Sequence, residues 1–376
     1  AGSSMKETLA AFDAGLVNAD SLSLFKTEIQ APAFEVRSVL PSDHEKNKRT
    51  FHLAMCAAYE ALAESGLNPA SKSLRLGVCL GTTVACQLND LDFYRSYREK
   101  GAIETGVVDR YIKGNLSESV SRALGASGPA LTIVNACSSA TDAIGAALSW
   151  LRSGLCDAVL AGGSDELSRI PFSGFHSLGI MSPDVCKPFD ADRQGLNLGE
   201  GAGILLMETE QNALKRNADT SLFLAGYGAA ADAYHLTAPR PDGSGIENAI
   251  NKALSEANLA YEDIAFINAH GTGTKENDRT EGAALNRIFG PDIPTLSTKG
   301  FTGHTLGAAG GLEAAFTAAG LINKWIPASP GFSKKDSEIP LTPVTGKTMI
   351  SGHFALSTSL AFGGNNAAII IGRSET

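Results

Sequence analysis

Short continuous runs of hydrophobic residues alternate along the chain with longer segments whose apolar positions recur at helical spacing. Runs that lack a polar face are typical of strands in a sheet covered on both sides, and their alternation with helices predicts an α/β protein. Strands are predicted at residues 76–80, 131–134, 157–160, 204–207, 222–227, 263–268 and 295–298, with a closing hairpin of 353–360 and 367–371. Helices are predicted at residues 5–15, 50–65, 84–98, 140–151, 246–257, 276–289 and 303–321, whereas residues 172–181 are predicted to be irregular.

The predicted elements form two rounds of similar length and order, the second of which begins near Ser221. This repetition predicts an internal duplication, with an N-terminal half at residues 1–215 and a C-terminal half at residues 216–376. No linker-like stretch separates the two halves, so we expect them to share one core. Because no strand precedes the helix at residues 5–15, we also expect one core strand to be unaccounted for.

Composition narrows the range of functions. The chain has 376 residues, is 43% hydrophobic, and carries a formal charge of −9 with a pI near 5.3, which argues against a nucleic-acid binder. No apolar run approaches the roughly 18 residues of a membrane span, and no secretory signal pattern is visible, so we expect a cytoplasmic protein without a membrane span. The six cysteines have no metal-type spacing, which predicts free thiols and no metal site.

One cysteine stands out from the others by its context. Cys137 follows the apolar run 131–134 and precedes small residues and a helical pattern, so it should lie on a strand-to-helix turn. The free N–H groups and the dipole at a helix N-terminus favour a thiolate, which predicts a lowered thiol pKa. The small residues after Cys137 would allow the backbone of another molecule to approach closely. A packed structural cysteine remains the alternative from this segment alone.

Two histidines also follow predicted strands and are flanked by glycine and threonine. His270 lies in a His-Gly-Thr-Gly-Thr sequence, and His304 ends the segment Ser-Thr-Lys-Gly-Phe-Thr-Gly-His. Ligand and catalytic sites of parallel sheets lie at the carboxyl ends of strands, so Cys137, His270 and His304 are expected to converge.

These motifs, together with Leu-Gly-Ala-Ala-Gly at residues 306–310 and Phe-Gly-Gly-Asn-Asn at residues 362–366, resemble the β-ketoacyl-[acyl carrier protein] synthases. The resemblance covers nearly the whole chain, in the family's order, and is greatest to the elongating synthases and the related polyketide ketosynthases. It implies a thiolase-like fold of five layers, αβαβα, built from two pseudo-symmetric halves and usually found as a homodimer. It also implies decarboxylative Claisen condensation of an enzyme-bound acyl group with malonyl-[acyl carrier protein].

The resemblance assigns roles to particular residues. Cys137 matches the nucleophile, and His270 and His304 match the pair that binds the malonyl thioester carbonyl during decarboxylation. Lys299 and Glu313 match residues that support the His304 side, and the backbone N–H groups of Cys137 and Phe362 would form the oxyanion hole.

Binding roles follow from the same resemblance. Thr272 and Thr274, with Thr237 nearby, would hold the phosphopantetheine arm of the carrier protein, and no other cofactor is implied. Val84 and Phe175 fall among acyl-pocket positions, and Phe362 matches the gating phenylalanine. Independently, the basic cluster Lys46, Lys48 and Arg49 at a helix start is either a solvated helix end or a docking patch for the acidic carrier protein.

The chain departs from the family pattern in several places. The family's N-terminal strand is missing ahead of Ala1, Ala361 stands where glycine is common, and Asn365 stands where threonine is common. Alanine does not share the access of glycine to positive φ, so a stiffer gating loop is expected. These differences favour a specialised synthase, for example of the aryl-polyene type.

Other members of the superfamily offer alternative functions. A non-catalytic chain-length-factor-like subunit of a heterodimer would usually lack Cys137. A thiolase would need a second catalytic cysteine near the C-terminus, and an initiating synthase would carry asparagine where this chain has His304.

Overall fold

The computed structural model describes residues 2–38, 49–71, 73–83, 91–101, 106 and 115–374. The first part of the chain builds a four-stranded sheet in the order β2-β1-β3-β4. Strand β1 pairs in parallel with both β2 and β3, whereas β3 and β4 are antiparallel. The strands are β1 Leu76–Gly81, β2 Ala130–Ile133, β3 Ala158–Asp165 and β4 Gly201–Glu208.

The second part builds a five-stranded sheet in the order β5-β11-β10-β6-β7. Strand β6 pairs in parallel with β7 and β10, and the closing hairpin of β10 and β11 is antiparallel. Strands β8 and β9 form a separate, small antiparallel ribbon. The strands are β5 Leu222–Ala231, β6 Ile264–Asn268, β7 Thr295–Leu296, β8 Trp325–Ile326, β9 Thr348–Met349, β10 Phe354–Ala361 and β11 Asn365–Arg373.

The two sheets repeat one topology. Strands β1, β2, β3 and β4 have the same neighbours and directions as β6, β7, β10 and β11, which confirms the predicted internal duplication. Strand β5, which pairs antiparallel with β11, has no counterpart among the described strands of the first sheet. Within the described ranges no strand pairs with the outer edge of β4, and a cavity of about 1620 Å³ lies along it. The expectation that one core strand is unaccounted for stays a prediction.

Helices complete five layers, αβαβα. Helices α5 and α11 form the middle layer and contact both sheets, α2 and α4 cover the outside of the first sheet, and α8 and α9 cover the outside of the second. Within the described ranges, no helix combines the length and apolar character needed to span a bilayer. The helices are α1 Met5–Asp13, α2 Arg49–Ser65, α3 Leu91–Lys100, α4 Leu116–Leu124, α5 Ser139–Arg152, α6 Arg169–Ser177, α7 Glu210–Lys215, α8 Ser244–Ala257, α9 Lys275–Phe289, α10 Lys299–Thr302 and α11 Ala309–Asn323.

The middle layer joins the halves into one core. Buried side chains of both sheets meet around it, for example Val159 of β3, Ile144 of α5, and Phe266 and Ile369 of the second sheet. The prediction that the halves share a core therefore agrees with the structure. The bounds of the two halves, residues 1–215 and 216–376, stay a prediction.

Three sequence predictions of local structure are wrong. Residues 172–181 are not irregular, because most of helix α6 lies there, and Pro171 is tolerated in its first turn, where no intrahelical N–H bond is lost. The helix predicted at residues 303–321 starts only at Ala309, since Gly303 and Leu306 adopt positive φ angles of 65° and 52°. Strand β2 is not buried: it lies at a sheet edge, and Leu131 is 44% exposed.

The crossing of α5 and α11 depends on a glycine. A Cβ atom on Gly310 would lie 2.0 Å from Oγ1 of Thr141, so Gly310→Ala should force the helices of the middle layer apart. We expect a loss of about 1–3 kcal/mol in the free energy of unfolding, measured by urea denaturation. Gly174→Ala is the matched control, because nothing lies within 4 Å of its Cβ position in α6. Gly174→Ala should leave stability unchanged or raise it by up to about 1 kcal/mol. Equal losses of stability in both variants would contradict the close packing of α5 and α11 at Gly310.

Candidate active site

Cys137 lies on the turn between β2 and α5, as the sequence predicted. The turn is tight: Ala136 has a φ angle of 49°, and the Ser139 N–H donates to the carbonyl of Ala136 at 3.2 Å. Cys137 is 5% exposed, just ahead of the first turn of α5. Left-handed backbone at an alanine costs free energy, and such strained turns typically hold a functional side chain in place.

The small residues after Cys137 contact this chain's own backbone. A Cβ on Gly81 of β1 would lie 2.3 Å from the backbone N of Ala140, and Ser138 and Ser139 are completely buried. The expectation that they admit the backbone of another molecule is therefore wrong. Their small size instead lets the strand ends of the first sheet pass directly against the N-terminus of α5.

His270 follows β6 on a loop that two buried carboxylates of α9 hold by its N–H groups. Glu281 accepts hydrogen bonds from His270 N and Gly271 N, both at 2.8 Å, and Asp278 accepts from Thr272 N at 3.0 Å. Sequence reasoning missed both carboxylates. The available signal was two acidic residues one turn apart, facing the core from the start of a helix directly after the histidine loop.

His304 approaches the cysteine from a different loop. Its backbone N–H donates to the carbonyl of Asn197 at 2.7 Å, and its Nδ1 accepts the N–H of Leu306 at 3.1 Å. Its Nε2 lies 3.1 Å from Sγ of Cys137, and its ring is 5.3 Å from the ring of His270, edge to face. His304 is 2% exposed. The predicted convergence of Cys137, His270 and His304 is confirmed, since donor atoms of all three lie within 4.8 Å of one another.

Lys299 and Glu313 form a buried ion pair next to the other histidine. Nζ of Lys299 contacts Nδ1 of His270 at 3.1 Å, donates to the carbonyl of His270 at 2.6 Å, and pairs with the carboxylate of Glu313. Three acceptors match the three N–H donors of an ammonium group. The expectation that this pair supports the His304 side is corrected: its hydrogen bonds go to His270.

The hydrogen bonds fix the tautomer of both rings. Nδ1 of His304 accepts a backbone N–H, and Nδ1 of His270 accepts from the Lys299 ammonium, so each neutral ring carries its hydrogen on Nε2. Both Nε2–H groups are then donors. A cysteine and two histidines are also a metal-ligand set in composition, but an Nε2 that holds its hydrogen has no lone pair for a metal.

Burial dominates the electrostatics of the site. Burial, assisted by the charge of Lys299, lowers the pKa of His270 and of His304 well below the usual value, so both rings are neutral at pH 7. Burial also raises the pKa of the Cys137 thiol to about 11, although the Lys299 charge and a hydrogen bond from the Phe362 backbone oppose this. The prediction of a lowered thiol pKa is thus wrong, because the helix N-terminus lies in a site closed to water.

Phe362 lies on the loop between β10 and β11. Its backbone N–H points at Sγ of Cys137, and its ring stacks on Phe175 of α6 with centroids 5.5 Å apart. The positive φ angles of this loop, 87° and 78°, fall on Gly363 and Gly364. Ala361 ends β10 in an ordinary extended strand, so the sequence-based reason for a stiffer loop does not hold.

The three threonines lie in two loops. Thr272 and Thr274 share a hydrogen bond of 2.9 Å between their hydroxyl groups on the His270 loop. Thr237 is exposed in the loop that follows β5, and the carbonyl of the preceding residue, Leu236, accepts the N–H of Gly363 at 2.8 Å. This places the Thr237 loop against the Phe362 loop. Val84 lies outside the described residues.

Arg49 at the start of α2 is committed to an internal ion pair. Its Nε donates to Glu200 at 2.7 Å and its Nη2 donates to the carbonyl of Val36 at 2.7 Å, while the Glu200 side chain is fully buried. Arg49 is therefore corrected from a docking residue to a structural one, because its charge is neutralised within the chain. Lys46 and Lys48 lie outside the described residues, and their docking role stays a prediction.

Thr50, the residue after Arg49 in α2, contacts a second buried carboxylate, that of Glu166. Glu166 accepts from the N–H of Thr50 at 2.8 Å, and burial raises its pKa to about 7 from an ordinary value of 4.5. Between these two pH values the folded chain holds a proton that the unfolded chain has lost. Each rise in pH therefore favours unfolding, by about 1.4 kcal/mol per unit for this group.

We predict that Glu166→Gln removes this dependence. From pH 4.5 to pH 7 the wild type should lose roughly 3 kcal/mol of stability that the variant keeps, as measured by urea unfolding across that range. Ser164→Ala is the control, since it removes a neutral hydrogen bond to the same residue, Thr50. It should lower stability by a similar amount at every pH. An unchanged pH slope in Glu166→Gln would refute the buried, protonated carboxyl.

Comparison with known proteins gives a consistent result. Residues 10–213 match the family model described as "Beta-ketoacyl synthase, N-terminal domain", and residues 223–333 match "Beta-ketoacyl synthase, C-terminal domain". The chain is 31% identical to 3-oxoacyl-[acyl-carrier-protein] synthase 2 of Staphylococcus aureus (strain COL), with 100% of this chain and 95% of the relative covered. It is 34% identical to Nodulation protein E of Rhizobium meliloti (strain 1021), over 84% of this chain and 80% of the relative.

Solved structures agree with this result. A structure titled "The ishigamide ketosynthase/chain length factor" is similar at 33% identity and a TM-score of 0.91, covering 100% of this chain and 96% of that one. A ketosynthase, ApeO, in complex with its chain length factor, ApeC, from Xenorhabdus doucetiae gives 33% identity and a TM-score of 0.84, covering 99% and 95%. Because both family models match, over residues 10–213 and 223–333, the chain belongs to the β-ketoacyl synthase family.

Proposed function

We propose that this chain is an elongating β-ketoacyl-[acyl carrier protein] synthase of fatty acid, polyketide or aryl-polyene biosynthesis. It condenses a Cys137-bound acyl group with malonyl-[acyl carrier protein] to give a 3-oxoacyl-[acyl carrier protein]. The observation that carries the proposal is the meeting of one thiol with two neutral imidazoles whose Nε2–H groups are both donors.

The first step loads the acyl group. Sγ of Cys137 attacks the thioester carbonyl, the bond to the phosphopantetheine sulfur breaks, and the thiol proton leaves with that sulfur. Negative charge builds on the carbonyl oxygen, which the backbone N–H groups of Cys137 and Phe362 stabilise. The covalent intermediate divides one difficult condensation into two easier steps.

The second step generates the carbon nucleophile. Malonyl thioester loses CO₂, and the electron pair of the broken bond becomes an enolate on the thioester oxygen. The Nε2–H groups of His270 and His304 donate to this oxygen. Neutral donors held in place by Lys299 and by the Leu306 N–H stabilise the developing charge without reorganisation.

The third step forms the carbon–carbon bond. The enolate carbon attacks the acyl carbonyl on Cys137, the oxyanion is again held by the two backbone N–H groups, and its collapse expels the Cys137 sulfur. The site returns to its starting state once the sulfur regains a proton. Lys299 and Glu313 act through His270, as support for its ring.

Substrate arrives on the phosphopantetheine arm of an acyl carrier protein, and the reaction needs no further cofactor. Thr272 and Thr274, together with Thr237 on the loop that contacts the Phe362 loop, are the residues we assign to the arm. Phe175 and Val84 are assigned to the acyl pocket. Phe362, stacked on Phe175, is assigned as the gate between the arm and the acyl chain.

The chief alternative is a non-catalytic, chain-length-factor-like subunit. Titles of two similar structures name such a factor beside a ketosynthase. The assembled Cys137, His270 and His304 favour the catalytic role, since a subunit without chemistry has no need of a buried thiol facing two oriented donors.

The second subunit we propose is another copy of this chain, in a cytoplasmic homodimer. Strand β2 pairs with β1 alone among the described strands, and Leu131 and Val134 at this edge are 44% and 66% exposed. An open, apolar strand edge is suited to pairing with a second edge. The cysteines of the described ranges are free thiols, as in a reducing compartment.

The nucleophile assignment is tested by Cys137→Ala. Incubated with acyl-[acyl carrier protein], the wild type should gain the mass of one acyl group in intact-protein mass spectrometry, and the variant should gain none. Decarboxylation of malonyl-[acyl carrier protein] should persist in the variant, since both imidazoles remain. Cys56→Ala, at a half-buried thiol in α2, is the control and should acylate normally. Acylation of Cys137→Ala, or no acylation of the wild type, would refute the proposal.

The interface is tested by Val134→Glu, measured by light scattering after size exclusion. Burying a carboxylate at the β2 edge in the interface costs free energy, because the charge loses its hydration. The variant should therefore be shifted from dimer toward monomer relative to the wild type. Leu214→Glu, at an exposed leucine of α7, should leave the dimer intact. A wild type that is monomeric alone and pairs only with a chain-length-factor-like protein would replace the homodimer by a heterodimer.

A further inference from the structure

Asp165, the last residue of β3, is a buried carboxylate for which the mechanism above has no use. It is 0% exposed, although an unpaired charge in such a place is costly. Its oxygens accept hydrogen bonds from two loops that come from opposite halves of the chain. One is the turn after β1, and the other is the loop that carries His304.

The contacts with the β1 turn are the larger set. Thr82 Oγ1 donates to Asp165 at 2.9 Å, and Thr83 donates with its N–H at 2.9 Å and its hydroxyl at 2.7 Å. The contact with the other loop is the N–H of Gly307, which donates to Oδ2 at 2.8 Å. The carboxylate therefore clamps the two loops together.

The two loops also touch directly, at a place that only glycine fits. A Cβ atom on Gly307 would lie 2.6 Å from the backbone carbon of Thr82. Gly307 follows Leu306, whose φ angle of 52° is strained and whose N–H donates to Nδ1 of His304. A strained residue keeps its conformation only where its surroundings hold it, and the next peptide N–H is held by Asp165.

We propose that Asp165 is a positioning residue for His304: it anchors the Gly307 N–H and thereby holds the Leu306 N–H that fixes the ring's tautomer. Without the anchor, Leu306 relaxes from its strained conformation, Nδ1 loses its donor, and the ring no longer presents Nε2–H toward the thioester oxygen. This inference rests on the proposed function for its catalytic consequence, though not for its structural one.

A pair of substitutions separates the hydrogen bonds from the charge. Asp165→Asn keeps the four hydrogen-bond contacts described above if its amide oxygen takes the Oδ2 position, because the amide NH₂ can then donate to the Thr82 hydroxyl. Asp165→Leu has a similar volume and no acceptor. Thr83→Val is a further control, since it removes one bond of the clamp and leaves Gly307 anchored.

The first measurement is steady-state decarboxylation of malonyl-[acyl carrier protein], scaled to the fraction of Cys137 that iodoacetamide can alkylate. Asp165→Leu should lower kcat by about 10- to 100-fold, as for a catalytic group held slightly out of place, with KM unchanged. Asp165→Asn and Thr83→Val should keep kcat within about 3-fold of the wild type, since the Gly307 anchor persists. Should Asp165→Leu fail to fold, Asp165→Ser replaces it, because its hydroxyl is too short to reach Gly307.

The second measurement is independent of activity. Ring ¹⁵N NMR of histidine-labelled protein, with the His304 signals assigned by their loss in His304→Ala, should show a single Nε2–H tautomer in the wild type and in Asp165→Asn. Asp165→Leu should show a mixture. An unchanged tautomer in that variant, a KM that changes together with kcat, or an Asp165→Asn variant as impaired as Asp165→Leu would overturn the inference. A wild type that releases no CO₂ would instead refute the proposed function, while the spectra would still test Asp165.

Discussion

The structure of the site depends on what each catalytic ring accepts at Nδ1. A neutral imidazole has one N–H, and a donor at Nδ1 that must keep its proton leaves that hydrogen on Nε2. His270 receives such a donor from the Lys299 ammonium and His304 receives one from the Leu306 peptide. Two chemically different partners thus produce the same outcome on both rings: an N–H aimed at the space beside Cys137. A substrate oxygen placed there meets two donors.

The duplicated fold explains how these partners come to lie together. The parallel strands of each sheet end on the same side, and the middle layer of α5 and α11 joins the sheets back to back. Cys137 comes from the first sheet, and His270 and His304 follow strands of the second. Glu313 lies on α11 itself, so the ion pair that orients His270 is fixed to the layer that both halves share. Loosening that layer would disturb the orientation of the His270 ring as well as the packing of the core.

Sequence alone predicted much of this, and its failures have physical reasons. The convergence of Cys137, His270 and His304 was predicted because each follows a strand. Within the second sheet the carboxyl ends of the parallel strands β6 and β7 share an edge, and the middle layer joins that sheet to the sheet that carries Cys137. Which histidine Lys299 supports could not be predicted, since this depends on the direction of one long side chain leaving α10. The Arg49 side chain was mistaken for a surface cation because its partner, Glu200, is distant along the chain. The exposure of β2 was missed because an edge strand and a central strand can carry the same apolar run.

The thiol pKa was the largest failure of sequence reasoning, and it changes how the site works. Burial raises the pKa of Cys137 to about 11, although the charge of Lys299 and a hydrogen bond from the Phe362 backbone favour the thiolate. The resting site is then a neutral thiol beside two neutral rings, which costs far less to keep from water than a thiolate beside an imidazolium. In the mechanism proposed above, charge appears only when a thioester carbonyl enters, on the oxygens that the Nε2–H groups and backbone N–H groups face. The donors thus stabilise the charged transition state more than the neutral ground state. This difference is the condition for a faster chemical step.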